Sequence, residues 1–126
     1  MSDRRTLMAP GAPPAVGPYS HAVVTGNLIY TAGQAGLNPS SRQMAEGIEE
    51  QTRQTLQNIA AILEAAGSSL SKVVKTTVFL ADMNDFKAMN AVYAEFFPSD
   101  PPARTTVQVA RIPLDALVEI EAVAVL

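Results

Sequence analysis

A chain of 126 residues, 48% hydrophobic and 17% charged, is long enough to bury one core without covalent staples. Its net charge of −3, with nine scattered basic residues, argues against an electrostatic nucleic-acid surface, which needs clustered Lys and Arg. The absence of cysteine and the presence of one histidine exclude a disulfide framework, a thiolate nucleophile, a cysteine-ligated metal and a two-histidine metal site.

A mean hydropathy of +0.13 points to a surface partly buried against another subunit. The opening "MSDRRTLMAPGAPP" lacks an apolar run of signal-peptide length, and no window reaches the roughly eighteen consecutive apolar residues of a membrane span. The expectation is a soluble, cytoplasmic chain forming one domain over residues 1–126.

Pro10, Pro13, Pro14 and Pro18, with Gly11 and Gly17, predict an extended or irregular lead-in over residues 1–18, with 1–15 as its irregular part. Two β-rich runs, Tyr19 to Thr25 and Leu28 to Gly33, flank "GN" at 26–27, a hairpin signal. "GLNPSSRQ" then reads as loop. From Ile48, residues Leu56, Ile59, Ala60, Ile62, Leu63 and Ala66 fall on one helical face, with Glu50, Arg53, Gln54, Gln57, Asn58 and Glu64 opposite. Gly67 is the stop signal.

"KVVKTTVFLAD" (72–82) reads as a strand, with Val74, Thr76, Val78 and Leu80 alternating against Lys75, Thr77 and Phe79. A second helix is expected from Asp85 to Phe97, capped by Asn84 and ended by Pro98. Phe86, Met89, Tyr93, Phe96 and Phe97 share its apolar sector, with Asn90 at the edge. A strand follows Arg104, then a turn at "IPLDA", then a last strand over 117–126. The order β-β-α-β-α-β-β defines an α+β fold with two helices on one face of a mixed sheet. Packing between subunits is one way to use the other face.

Glu119 and Glu121 lie two apart on the last strand, so they share a face opposite Ile120, Ala122 and Ala124. They are either solvated strand residues or a carboxylate site able to hold a water or move a proton. Arg104 either pairs with Glu119 or Glu121 across adjacent strands, or grips a small carboxylate with its planar fork. Tyr19 reads as a half-buried aromatic after "VGP", and Asn90 as a capping or loop-tying amide. His21 reads as a polar strand residue rather than a catalyst. "TAGQAG" (31–36) lacks the spacing and the following helix of a phosphate loop.

Taken in order, "GPYSHAV", "IYTAGQ", "QTRQTLQNI", "ILEAAG", "VVKTTVFLADMNDF", "MNAVYAEFF", "PARTTVQVARIP" and "VEIEAVAV" resemble the RidA/YjgF family, also called the L-PSP or Rid family. The resemblance implies a chorismate-mutase-like fold assembled as a homotrimer, with sites in the clefts between subunits. It also implies the activity of a 2-iminobutanoate/2-iminopropanoate deaminase. Such enzymes hydrolyse reactive 2-imino acids, which arise from enamines released by pyridoxal-phosphate enzymes, to 2-keto acids and ammonia without cofactor or metal. On that resemblance Arg104 binds the substrate carboxylate and Glu119 orients or activates water. Tyr19 and Asn90 line the pocket, and Thr106 offers backbone groups.

Three positions depart from the family pattern. Ala32 stands where serine is common, removing a hydroxyl from the pocket, and Thr106 stands where many members have cysteine. Thr105 is also bulkier than the usual residue after the arginine. The alternatives are a different deaminase or hydrolase on the same site, an endoribonuclease as attributed to some relatives, or a ligand-sensing or chaperone-like protein without turnover.

Overall fold

Gly-Asn at 26–27 makes the expected hairpin in the computed structural model, which describes residues 3–126. Strands β2 (Ala22–Thr25) and β3 (Leu28–Thr31) pair antiparallel with Thr25 opposite Leu28. Gly26 takes φ 57°, the positive φ that a two-residue turn wants at its first central position. Both strands are shorter than the sequence runs, because the segments before Ala22 and after Thr31 leave the ladder to form loops.

The lead-in is not wholly irregular. Arg5–Leu7 form β1, paired antiparallel with β2. These three residues precede the first proline, so each keeps its N–H, and the open edge of β2 supplies the partner. Residues 8–21 are irregular, as their prolines predict, and positions 1 and 2 lie outside the described residues.

Helix α1 (Gly47–Ala65) ends where Gly67 predicts: Gly67 N–H donates to Glu64 O at 3.0 Å and Ser68 N–H to Leu63 O at 2.8 Å. Leu56, Ile59, Ile62 and Leu63 are buried, as the periodicity requires. Asn58, placed with the polar face from sequence, is instead only 1% exposed. Its amide donates to Ala35 O at 3.0 Å and Leu37 O at 2.9 Å, and its Oδ1 accepts from Gln54 Nε2 at 3.0 Å. It therefore supplies donors to a loop that packs on the helix. Asn58→Ala is expected to cost about 2–3 kcal/mol by stranding two carbonyls, read as a lower denaturant midpoint at unchanged m and fixed protein concentration.

A 3₁₀ turn at Leu70–Lys72 leads into β4 (Val73–Leu80). A register shift between Val73 and Lys75 changes the alternation there, leaving Val74 45% exposed although Thr76, Val78 and Leu80 point inward as expected. A 3₁₀ turn at Met83–Asp85 precedes α2 (Phe86–Phe96). Asn84 is not the cap: Asp85 stands at the N-cap of α2 without a side-chain cap bond, and Asn84 lies inside the preceding 3₁₀ turn, which Asp82 caps by accepting from Asn84 N–H at 2.9 Å. β5 (Ala103–Gln108) runs parallel to β4, and β6 (Val118–Val125) runs antiparallel to both β3 and β4.

The sheet order is β1-β2-β3-β6-β4-β5. Both helices cover one face, where Ile29, Val78, Leu80, Val118 and Ile120 meet Leu56, Ile59, Ile62, Leu63 and Met89. Tyr30, Thr77, Phe79, Glu119, Glu121 and Val123 occupy the opposite face. No helix among the described residues is long and apolar enough to cross a membrane.

Candidate active site

β6 lies in the middle of the sheet, so its outward residues look onto the helix-free face. Glu119 stands opposite Phe79 of β4, and the loop after β3 passes over it. Main-chain bonds from Gln34 N to Ile120 O at 2.8 Å and from Ile120 N to Gln34 O at 2.9 Å fix that loop beside β6. Gly33 lets the carboxylate come close: a Cβ there would sit 2.5 Å from Glu119 Oε2, so the glutamate side chain would have to shift. Gly36 would put a Cβ 2.7 Å from Gln51 Cα of α1. The glycines of "TAGQAG" thus permit close approach to a carboxylate and a helix, not to a phosphate.

Glu119 borders a cavity of about 290 Å³ whose lining includes Tyr19, Ala32, Gly33, Pro13, Pro14, Val16, Leu37 and Leu114. Sequence reasoning singled out Tyr19, Ala32 and Glu119, and the fold brings those three together. Glu119 is half-buried; burial pushes its carboxyl above the usual carboxylate range, and the Glu121 charge adds to the rise. A carboxyl tuned this way both accepts and returns protons near neutrality more readily than a solvated one. Pro13, Pro14 and Val16 were not foreseen, since a proline-rich lead-in carries no periodic signal for where it docks.

Arg104 has different surroundings. It is the second residue of β5, paired with Thr76, rather than a residue ahead of the strand. Its guanidinium carbon lies 4.7 Å from the Tyr93 ring centroid and 5.6 Å from that of Phe86, both on α2. Tyr93 is itself held by a 2.7 Å hydrogen bond between its hydroxyl and Thr76 Oγ1. Burial pushes the Tyr93 phenol up, with the Thr76 bond and the Arg104 charge pulling the other way. Among the described residues no carboxylate pairs with Arg104.

Two further polar groups accompany it. Thr106 follows Arg104 on the same face of β5, and Asn90 lies on α2 between Phe86 and Tyr93. Thr106 Oγ1 and Asn90 Oδ1 are buried without a hydrogen-bond partner. Unsatisfied buried polar atoms are uncommon and ask for a ligand. The aromatic cradle was not assigned a site role from sequence, although Phe86 and Tyr93 share a helical sector with Asn90 at its edge.

Of the two readings of Arg104, a pairing with Glu119 or Glu121 across adjacent strands does not occur within one copy. β4 separates β5 from β6, and the register aligns Arg104 with Thr76 and Ala122, on the helix-covered face. Glu119 aligns with Phe79 and Val107 on the other. One copy therefore carries two groups of candidate residues on opposite faces: Arg104, Asn90 and Thr106 on one, Glu119, Tyr19 and Ala32 on the other. Among the described residues no three His, Cys, Asp or Glu side chains cluster to hold a metal ion.

This sheet, with two helices on one face and a glutamate-bearing central strand, defines a known class. Residues 10–126 match the family model described as Endoribonuclease L-PSP, and the chain belongs to that family, the RidA/YjgF proteins. The chain is 51% identical over 122 residues to a RutC family protein of Pyrococcus horikoshii, covering 96% of this chain and 97% of that one. It is 48% identical to a human protein named 2-iminobutanoate/2-iminopropanoate deaminase, covering 97% and 90%. The crystal structure of the YjgF gene product from E. coli superposes with a TM-score of 0.93 at 46% identity, covering 96% of this chain and 98% of that one.

Proposed function

We propose that the protein hydrolyses 2-imino acids to 2-keto acids and ammonia, at sites completed between copies of the chain in a homotrimer. The observation that carries this reading is the guanidinium of Arg104, held over two rings beside two unpartnered polar atoms with no carboxylate opposite it. A small carboxylate is the natural counter-ion for that fork. The names of relatives such as the human deaminase support the same substrate class.

Arg104 of one copy anchors the substrate carboxylate, which places the adjacent C=N carbon before the Glu119 cavity of the next copy. Attack then becomes effectively intramolecular. Glu119 takes a proton from water as the oxygen adds to the iminium carbon, giving a carbinolamine. It returns that proton to the nitrogen; as the C–N bond breaks and ammonia leaves, the freed carboxylate takes the hydroxyl proton, so a C=O remains and that last proton passes to solvent. Tyr19 and Ala32 shape the wall on the Glu119 side. Asn90 and Thr106 offer polar groups on the Arg104 side.

The test generates 2-iminopropanoate or 2-iminobutanoate with an amino-acid oxidase and follows its loss. Acceleration by the protein, reduced about 10²-fold or more in Arg104→Ala, is expected from lost positioning. No acceleration, or full activity in Arg104→Ala, overturns the reading. The family description keeps RNA cleavage as a second outcome: cleavage that persists in Arg104→Ala would place that activity on another surface.

A further inference from the structure

The one histidine of the chain does not take part in the chemistry above, yet it is 2% exposed and fully hydrogen-bonded. Ala9 N–H donates to His21 Nδ1 at 2.8 Å, and His21 Nε2 lies 2.8 Å from Pro13 O. A backbone N–H only donates and a carbonyl only accepts, so the ring roles are fixed: Nδ1 holds a lone pair and Nε2 holds the hydrogen.

The groups it binds belong to the cavity wall. Ala9 and Ala12 are buried in the core, and Ala12 N–H closes a turn onto Ala9 O at 3.2 Å. From there Pro13, Pro14 and Val16 line the Glu119 cavity, and Val16 N–H donates to Tyr19 Oη at 3.2 Å. Pro13 and Pro14 have no N–H of their own, so this stretch is anchored through its carbonyls. The opposite wall begins on the same residue, because His21 O accepts from Ala32 N–H at 2.8 Å. The side chain of His21 holds one wall and its main chain holds the other.

We infer that His21 is a positioning residue: its neutral Nε2–H imidazole fixes the 9–16 strap, and with it Tyr19, against Ala32 and Glu119. The consequence for turnover rests on the imine-hydrolase reading; the ring geometry and the strap do not. A glutamine side chain supplies one acceptor and one donor on the same carbon, so His21→Gln can remake both bonds. His21→Phe fills the volume and makes neither, and His21→Asn reaches only one.

With ¹⁵N-labelled histidine the single imidazole gives an unambiguous spectrum. The expected result at neutral pH is a hydrogen on Nε2 and an unprotonated Nδ1; an Nδ1–H ring, or a ring averaging both forms, overturns the inference. Ala9 amide exchange should stay slow in His21→Gln and quicken about tenfold or more in His21→Asn and His21→Phe. In imine hydrolysis His21→Gln should stay within about threefold of wild type. His21→Phe should lose about tenfold in kcat/KM, chiefly through KM, because the wall that meets the substrate has moved. A lowered kcat at unchanged KM would mean only a smaller folded fraction, and glutamine as damaging as phenylalanine would mean the bonds are irrelevant; either overturns the positioning role. If the wild-type protein turns over no imine, the function reading fails, and the ring spectrum and Ala9 exchange still decide the inference.

Discussion

Subunits carrying Arg104→Ala and subunits carrying Glu119→Gln, each nearly inactive alone, are expected to recover about a quarter of wild-type activity when unfolded and reassembled together in equal amounts. Arg104 and Glu119 face opposite sides of one sheet, so they meet only if one copy presents its helix-side half-site to the open-face half-site of the next. In a head-to-tail ring every site takes Arg104 from one subunit and Glu119 from a neighbour. A site is intact when the first comes from a Glu119→Gln chain and the second from an Arg104→Ala chain. Random mixing makes each choice right half the time, and the product is one quarter. Imine hydrolysis by the mixture, compared with each variant refolded alone, measures it. No recovery would mean that both residues act within one copy, which the register makes hard to reconcile with the fold.

Glu119→Gln should separate activity from stability. Removing the group proposed to accept the water proton is expected to lower kcat about 10²–10³-fold. The same change should leave the fold as stable or more stable at neutral pH. Burial, then the Glu121 charge, raises the Glu119 carboxyl in the folded chain. Below the unfolded carboxylate range both states are protonated and the burial costs nothing. As pH rises from that range to the raised folded value, the unfolded chain ionises first and stability falls; above the folded value the penalty stays constant. Glutamine carries no such penalty, so the melting temperature of the variant relative to wild type should climb through that window and then level off. Thermal unfolding across acid to neutral pH checks this. A variant less stable at neutral pH than in acid, relative to wild type, would show that Glu119 has a stabilising partner in the assembled protein.

Much of the fold was legible because its signals were local. The Gly26 turn, the apolar face of α1, the Gly67 stop and the shared outward face of Glu119 and Glu121 each depend on residues a few positions apart. What sequence periodicity missed came from distant partners. Val74 is exposed because a register shift interrupts the alternation, and Asn58 is buried because a loop from residue 35 onward needs its donors. Three residues of β1 are too few to show a period, and their partner lies in β2. The site followed the same rule. Arg104, Glu119, Tyr19, Asn90, Thr106 and Ala32 became candidates by residue type and by family resemblance. Their division between two faces depends on β4 lying between β5 and β6, which no local pattern carries.

The place of β6 also bears on how the chain is made. It is the last of the six strands to be synthesised, yet it sits between β3 and β4 in the sheet. Until it emerges, the β1–β3 meander and the β4–α2–β5 unit each present a bare edge where their common neighbour belongs. Such edges are templates for wrong partners, so crowding of nascent chains is most hazardous just before the final segment arrives. Closure of the sheet is therefore a long-range event that comes late, and the strand that completes it delivers Glu119 in the same step.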